Sequence, residues 1–226
     1  MLLVPDRKTA RMCIERLRMK AVTTFYRRCL CGYRSLQEAV PTLQSQLPVS
    51  LGLLTEQHLS AYRAFRPDQD PRELHDRLAR GHRCFATWYR GDLVDVSWVA
   101  TERAHFPYLR CTLVFGHRDI YVYDSYSHPA YRGRGLYMTK ATHIMRQAGM
   151  EGYERLVALI AIENKPARVV TKRLGIRFVG QYYCLRFGPW QWLWQESFTP
   201  EALPQLVAPA SGRVCRKRCN RSRMYR

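Results

Sequence analysis

The sequence has no apolar run long enough to cross a membrane, which takes about 20 residues. Its longest apolar run is residues 156–162, Leu-Val-Ala-Leu-Ile-Ala-Ile. The eight cysteines include no CxxC pair and there is no HExxH, so a metal site has little support. The start, Met-Leu-Leu-Val-Pro-Asp, is too short and too soon charged for a secretory signal. We therefore expect a cytoplasmic protein with reduced thiols and no metal.

Two familiar phosphate-binding loops are absent as well. A Walker A loop ends in Gly-Lys-Ser/Thr, whereas Gly135 is followed by Leu136 and Tyr137. A dinucleotide-binding fingerprint needs a third glycine three residues after Gly135, and that position is Met138. Neither kind of nucleotide site is predicted.

Acidic residues are scarce at the two ends of the chain. Residues 1–34 hold nine Lys/Arg and two acidic residues, and residues 213–226 hold seven Lys/Arg and no acidic residue. Most of the net charge of +19 therefore lies at the ends. A solvated tail is the ordinary interpretation of such ends, and contact with nucleic acid or an anionic surface is the alternative.

The pattern of charge and of helix breakers divides the chain into three parts. Residues 1–48 are predicted to be a basic helical extension, with a helix over Arg7–Cys29, followed by a linker. Residues 49–198 form the predicted domain, and residues 199–226 a Pro/Ala-rich linker with a basic tail. Docking on the domain, binding to a membrane surface and an unstructured state remain alternatives for the N-terminal helix.

Helical and strand periodicities alternate along the predicted domain, which indicates an α/β (α+β) fold. The predicted strands are 49–54, 84–89, 93–101, 113–115, 120–127, 155–162 and 178–185, and the predicted helices are 55–65, 67–81, 134–148 and 165–174. The strand 155–162 is apolar throughout, as expected of a parallel strand that is buried on both faces. We therefore predict a right-handed βαβ unit from 120–127 to 155–162.

Three tryptophans follow the last of these strands. Trp190, Trp192 and Trp194 alternate with other residues and so share one face of a predicted strand. A hydrophobic sheet face or interface is one interpretation, and an aromatic wall of a substrate pocket is the other.

A basic, glycine-containing turn joins the strand 120–127 to the following helix. A helix N-terminus has unpaired N–H groups and the positive end of the helix dipole. Gly133 and Gly135 carry no Cβ that would keep a phosphate away, and Arg132 and Arg134 add positive charge. The turn predicts a ligand that carries phosphate, with a plain basic surface turn as the alternative.

Two motifs together resemble the GNAT (Gcn5-related N-acetyltransferase) superfamily. His128-Pro-Ala-Tyr-Arg-Gly-Arg-Gly-Leu-Tyr137 is similar to the Arg/Gln-x-x-Gly-x-Gly/Ala acetyl-CoA loop. Glu163-Asn-Lys-Pro-Ala-Arg-Val-Val-Thr-Lys-Arg-Leu-Gly-Ile-Arg-Phe178 resembles the Asn-x-x-Ala/Ser helix that ends in Lys-Leu-Gly-Phe. The resemblance covers roughly residues 49–194.

This resemblance implies a mixed, twisted sheet of about six to seven strands flanked by helices, with splayed central parallel strands at 120–127 and 155–162. It implies acetyl-CoA as the acyl-donor substrate, with its diphosphate at the glycine turn and its pantetheine arm between the splayed strands. The implied cofactor-binding residues are Ser125, Ser127, Arg132, Gly133, Arg134, Gly135, Leu136, Tyr137, Asn164 and Ala167.

Two positions depart from the family pattern. Tyr137 stands where the loop usually has Gly or Ala, and Thr171 stands where many members have a tyrosine that protonates the leaving thiolate. Tyr137, Tyr182 or solvent is then the candidate acid. An attacking amine must also lose a proton. The candidate bases are Asp124 as first choice, Glu102 as its alternative, and the histidines His105 and His128.

The resemblance therefore implies an N-acyltransferase, most simply an N-acetyltransferase that acts on a primary amine of a small molecule. Three alternatives stay open: acylation of a protein or RNA, an acyl carrier protein as donor, and a silent CoA-binding module. A homodimer is also left open as a partner. The acceptor amine carries no sequence motif.

Overall fold

The structure, a computed structural model, describes residues 26–187 and 190–207. These residues form eleven strands and four α-helices. The strands are β1 (Tyr26–Ser35), β2 (Ser50–Leu53), β3 (Arg83–Tyr89), β4 (Asp92–Ala100), β5 (Arg103–Phe106), β6 (Cys111–Val114), β7 (Asp119–Ser127), β8 (Arg155–Ala161), β9 (Arg177–Phe187), β10 (Trp190–Ser197) and β11 (Gln205–Val207). The helices are α1 (Leu59–Phe65), α2 (Pro71–Ala79), α3 (Leu136–Met150) and α4 (Lys165–Arg173), and short 3-10 turns lie at Glu56–His58 and Pro129–Tyr131.

The larger of two sheets has eight strands in the order β10-β9-β1-β8-β7-β4-β3-β2. Its neighbouring strands are antiparallel except β7 and β8, which are parallel. A smaller antiparallel sheet has the order β11-β6-β5. The predicted α/β (α+β) class with a mixed sheet is confirmed, although the large sheet has more strands than the six to seven that we predicted.

The parallel pair of strands separates soon after it begins. Asp119–Tyr121 pair with Arg155–Val157, and the pairing then stops although β7 runs on to Ser127 and β8 to Ala161. Helix α3 connects the two strands, which confirms the predicted βαβ unit. The splay between the central parallel strands is confirmed as well.

The first strand corrects the prediction for the N-terminal part. Tyr26–Ser35 is not the end of a helix or the start of a linker but a strand between β8 and β9, so the sheet begins before residue 49. Its side chains alternate: Cys29, Cys31 and Tyr33 are buried in the core. The basic residues before Cys29 hid this two-residue period. The earlier part of the predicted helix lies outside the described residues.

The segment after β1 is packed on the domain and does not serve as a free linker. Val40 and Leu43 contact the apolar cluster around α3. The backbone N–H of Gln46 and the Ser45 hydroxyl both donate to the carbonyl of Arg134, at 3.0 and 3.2 Å. This segment therefore packs against the glycine turn.

The predicted C-terminal linker also contributes to the fold. Gln205–Val207 pairs with β6, and Leu203 and Leu206 are buried in the core. Strand β5 was not predicted either. These strands have three or four residues, too few for a clear two-residue period, and long-range pairing stabilises them. Residues 208–226, with most of the predicted tail, lie outside the described residues.

The two faces of the large sheet carry different elements. On one face, α3 packs through Ile144, Met145 and Ala148 against Ile120 and Leu156 of the parallel strands. The opposite face is covered by the small sheet and by α1 and α2. Trp98 of β4, for example, packs with Tyr62 of α1 and Leu74 of α2. The point where β7 and β8 separate thus lies between two packed layers.

We predict that Gly32→Val destabilises the protein because β1 is tightly enclosed. A Cβ at position 32 would lie 2.6 Å from Cγ2 of Ile176 and 3.2 Å from the carbonyl oxygen of Arg177. Overpacking of this kind costs about 1–3 kcal/mol, which urea unfolding of the full chain would measure. The matched control is Gly52→Val in β2, where a Cβ meets no atom of the described residues within 4 Å. Equal stability of the two variants would contradict the position of β1.

Candidate functional site

A cavity of about 540 Å³ opens where β7 and β8 separate. Tyr123 and Asp124 on β7 and Leu159 on β8 line it, and all three follow the last residue pair of the two strands. Its walls come from α2 and the turn after it and from the connection between β5 and β6. The cavity therefore occupies the fork between the parallel strands, on the face that carries α2 and the small sheet.

A β-bulge accompanies the fork. The pairing of β4 with β7 changes register between Val96 and Trp98, and Asp124 on the opposite strand has a φ of 44°. This left-handed conformation is uncommon outside glycine, but aspartate adopts it more readily than most residues. Within the described part of the chain, no strand pairs with β7 on its β8 side after Tyr121. A stretch of backbone thus faces the fork without a strand partner.

Asp124, the first-choice base, lies in the cavity with both carboxylate oxygens engaged. Arg66 donates to Oδ1 at 3.3 Å, and Arg77 donates to Oδ2 at 2.5 Å. Arg77 also pairs with Glu73, one helical turn earlier, at 2.6 Å. A substrate ammonium would have to share these oxygens with two guanidinium groups. In the structure, Asp124 joins α2 and Arg66, which follows α1, to the bulge of β7.

A second pair of polar groups in the cavity was not predicted. His82 is only 8% exposed and lies directly after the turn that ends α2. Its Nδ1 lies 2.5 Å from the hydroxyl of Tyr123, and its Nε2 lies 3.1 Å from the carbonyl oxygen of Arg103. Burial lowers the pKa of His82, and it raises the pKa of Tyr123. Both groups are therefore neutral at pH 7.

Tyr108 is a further hydroxyl at the cavity that the sequence did not reveal. It donates to Oε1 of Glu163 at 2.7 Å, and Glu163 follows the end of β8. Burial, and then the hydrogen bond to Glu163, raise the pKa of Tyr108. The cavity is thus bordered by two protonated phenols, one beside each parallel strand.

The structure places the other candidate bases, and the candidate acid Tyr182, in different parts of the molecule. His105 lines the same cavity as Asp124. Glu102 lines a separate cavity on the other side of His82, and His128 caps the Pro129–Tyr131 turn by accepting from the N–H of Ala130. Tyr182, a candidate acid, is buried with its hydroxyl donating to the carbonyl of Pro204 at 2.7 Å. Only His105 and Asp124 of these five line the cavity in the fork.

The glycine turn has the geometry that an anion site needs. Gly133 and Gly135 have φ values of 78° and 81°, in the left-handed region that glycine tolerates. Gly135 is the N-cap of α3, and no side chain of the described residues caps this helix. Arg132 donates to the carbonyl of Ser127 at 3.1 Å, and Arg134 is exposed. The N–H groups of the first turn, from Leu136 onwards, are therefore left without a side-chain cap from the described residues and follow two arginines in the chain.

The side chain of Tyr137 lies beneath this turn, against β7. Its hydroxyl contacts Ser125, and burial, with Asp95 nearby, raises its pKa to about 12. The side chain is therefore turned towards β7, which explains how the departure from Gly or Ala is accommodated.

A buried ion pair lies next to Tyr137. Lys140 of α3 and Asp95 of β4 are both fully buried and 2.5 Å apart. Burial lowers the pKa of Lys140, while Asp95 opposes this effect. Asp95 also accepts a hydrogen bond from the Ser127 hydroxyl at 2.6 Å. The pair thus joins the start of α3 to the two strands beside the fork.

The second motif forms the start of α4. Asn164 is its N-cap, and its side-chain oxygen accepts from the N–H of Ala167 at 3.1 Å. Thr171 is buried, and its hydroxyl donates to the carbonyl of Ala167 at 2.7 Å. The Thr171 hydroxyl is thus held by its own helix.

The tryptophan strand lies away from the cavity in the fork. Trp190 and Trp192 stack on each other, and Trp194 stacks on Tyr183 of β9. They share one face of β10 as predicted, and Leu193 is buried on the opposite face. None of the three lines the cavity in the fork, so they form an aromatic sheet face and no wall of this site.

Two further observations concern only residues 26–187 and 190–207. No helix there is long and apolar enough to cross a membrane. No group of three His, Cys, Asp or Glu residues is arranged to hold a metal ion.

The sequence matches no protein-family model and no curated protein. Solved structures do match. A GCN5-related N-acetyltransferase from Sphaerobacter thermophilus has a TM-score of 0.51 at 13% identity, over 75% of this chain and 54% of that one. An N-acetyltransferase from Staphylococcus aureus has a TM-score of 0.45 at 16% identity, over 57% and 82%. AAC(6')-Iy in complex with the bisubstrate analogue CoA-S-monomethyl-acetylneamine has a TM-score of 0.47 at 14% identity, over 57% and 90%.

The chain spans 54–67% of the length of four of the solved structures that it matches, among them the Sphaerobacter structure and that of a Drosophila protein. The identities are low, so these likenesses concern the fold. The Sphaerobacter structure, taken with the parallel pair that separates after three residues, shows that this chain has the fold of the GNAT superfamily.

Proposed function

We propose that the protein is an N-acyltransferase that moves an acetyl group from acetyl-CoA to a primary amine. The observation that carries this proposal is the position of the cavity. It lies in the fork of β7 and β8, beside the β7 backbone that has no strand partner in the described part of the chain. A glycine turn with an uncapped helix start follows the same strand. One strand therefore connects the cavity with the turn that would bind an anion.

The residues at the glycine turn fit the diphosphate of CoA. The N–H groups from Gly133 to Tyr137 and the charges of Arg132 and Arg134 would hold it, and Tyr137 leaves the space open because its ring lies beneath the turn. A Cβ at Gly133 would meet no described atom within 4 Å, so the outer side of the turn has room for a phosphate.

The fork fits an extended pantetheine arm. Amide groups of the arm would pair with β7 around Ser125 and Ser127 in the manner of an added strand. The hydroxyls of these serines are already bonded to Ser97 and Asp95 of β4, and the Ser127 carbonyl accepts from Arg132. The contact would therefore fall to the backbone of Ser125, which has no partner in the pairing of β4 with β7. Asn164 and Ala167 start α4 after β8, on the other side of the fork. When bound, acetyl-CoA supplies a thioester carbonyl that an amine can attack.

The size and chemistry of the cavity favour a small amine as acceptor. A volume of about 540 Å³ falls in the range of small-molecule sites. Carboxylates of Glu73, Asp76 and Asp124 line it beside aromatic rings. Asp76 is exposed, and no described residue engages its carboxylate in a hydrogen bond or ion pair. It can therefore attract an ammonium group to the cavity mouth.

A silent CoA-binding module is the second candidate. It is favoured by Thr171, because the hydroxyl that replaces the family tyrosine donates to Ala167 and has no free proton for a leaving thiolate.

Release of free thiol from acetyl-CoA decides between the two candidates. With acetyl-CoA saturating, an amine panel should contain an acceptor that increases thiol release, and its N-acetyl product should appear in the same amount. Binding of acetyl-CoA without amine-dependent thiol release from any member would favour the silent module. Absence of binding would contradict both candidates.

We predict that Arg134→Glu weakens acetyl-CoA binding at least tenfold, or ~1.4 kcal/mol. The substitution places a negative charge beside the diphosphate at an exposed position, so it should not disturb folding. Titration calorimetry would measure the Kd. The control is Arg173→Glu, an exposed arginine in the last turn of α4 with the same change in charge. Equal weakening in both variants would mean that only the overall charge matters and that the turn is not the anion site.

A further inference from the structure

The pair formed by Tyr123 and His82 has no function in the binding steps above. Both side chains line the cavity in the fork, yet they come from positions 41 residues apart in the chain. Their rings meet edge to face at 5.7 Å. A short, defined contact between two ionisable groups at a reacting centre calls for a chemical explanation.

The hydrogen bonds of His82 fix which nitrogen carries the proton. A carbonyl oxygen can only accept, so Nε2 must donate to the carbonyl of Arg103 at 3.1 Å. In the neutral ring Nδ1 is then an acceptor, and the Tyr123 hydroxyl donates to it at 2.5 Å. The proton of Tyr123 therefore already points along a path from the cavity to His82.

We infer that Tyr123 and His82 form a proton relay that deprotonates the acceptor ammonium in the fork. This inference depends on the proposed N-acyltransferase function. Tyr123 is the member that meets the acceptor, and His82 acts through it.

The relay carries one proton in each direction. The ammonium donates to the Tyr123 oxygen, Tyr123 passes its own proton to Nδ1 of His82, and it takes one proton from the ammonium in exchange. The neutral amine then forms the new C–N bond as the C–S bond breaks, and its second proton leaves to water. His82 returns its proton through Tyr123 to the sulfur of the leaving group. This restores the Nε2–H form and supplies the proton that Thr171 cannot give.

The groups around His82 suit a base that is ready at neutral pH. Burial lowers the pKa of His82, the hydrogen bond to the Arg103 carbonyl opposes this effect, and the positive charges of Arg77 and Arg80 add a smaller lowering. From β7, Tyr123 contacts the ring and Asp124 lines the same cavity, and Arg103 of β5 presents its carbonyl. Glu102 and Arg103 line the cavity on its other side. The lowered pKa keeps the ring unprotonated, and the Arg103 carbonyl stabilises the imidazolium when it forms.

The alternative base in the same cavity is less well placed. Both oxygens of Asp124 are bonded to guanidinium groups, whereas the Tyr123 oxygen donates only one proton and keeps its lone pairs for an incoming N–H. His82 accepts the proton of Tyr123, and the Tyr123 oxygen accepts the hydrogen bond from the substrate ammonium.

The kinetic test compares His82→Gln and Tyr123→Phe with His75→Gln, an exposed histidine of α2 that does not line the cavity. With an alkylamine acceptor found in the thiol-release assay, each relay variant should lose about 10²-fold in kcat/KM at pH 7. The loss should shrink as pH rises, because the free amine then needs no base.

The double variant should have the same kcat/KM as the less active of the two single variants, since the two residues act as a unit. A loss that is the same at every pH, or losses that multiply, would overturn the relay.

A second measurement needs no acceptor. Long-range ¹H–¹⁵N spectra of the full chain should show His82 as the Nε2–H tautomer, with an Nδ1 signal that shifts in Tyr123→Phe but not in His75→Gln. An Nδ1–H tautomer in the wild type would overturn the relay even if acetyl transfer is confirmed. If acetyl-CoA binds but no amine is acetylated, the proposed function fails, and the relay fails with it.

Discussion

The structure depends on the early separation of two parallel strands. β7 and β8 share only three residue pairs, although each continues for four residues or more. An open edge between buried strands is costly unless neighbouring elements hold the strands apart and a ligand can satisfy the backbone groups. Here β8 is paired along its length with β1, and β7 is paired with β4, so each strand is anchored on its outer side. The fork is therefore a rigid feature of the sheet.

Charge pairs fix the elements around the fork. Arg66 and Arg77 form ion pairs with Asp124 at the bulge, and these pairs hold α2 on the face of the sheet that carries the cavity. On the other face, the fully buried pair of Lys140 and Asp95 holds the start of α3 against β4. Burying two charges costs about as much free energy as their attraction gains, so the pair adds little net stability. Losing one partner, however, leaves an uncompensated buried charge, and the pair therefore holds the two elements in this position. The glycine turn and the cavity thus keep a defined relation across the sheet.

Much of the fold near the fork follows from local sequence. The apolar run of β8 and the glycines before α3 predict the βαβ unit because their signals are strong over short windows. Strand β1 was missed because Arg27 and Arg28 resemble the preceding basic segment, and its place is decided by partners at least 120 residues away. The small sheet was missed for a similar reason. Its strands are too short to show a period.

Of the candidate site, only the residues in local motifs, chiefly the glycine turn, could be predicted from the sequence. Gly133, Gly135 and Asn164 belong to local motifs, and the structure places them at helix starts on either side of the fork. Asp124 was placed in the cavity, but its arginine partners, 58 and 47 residues away, were not predictable. His82 and Tyr123 carry no motif at all. Their contact exists only because the turn after α2 packs over β7, which no spacing in the sequence reveals.

The central claim is that one ligand occupies both the glycine turn and the open edge of β7. Hydrogen–deuterium exchange of the full chain, with and without acetyl-CoA, tests it most directly. We expect acetyl-CoA to slow exchange at the backbone amides of residues 122–127 and 133–138, with little change in β2 and β3. Unchanged exchange in both segments under saturating acetyl-CoA, or protection confined to another part of the chain, would contradict it.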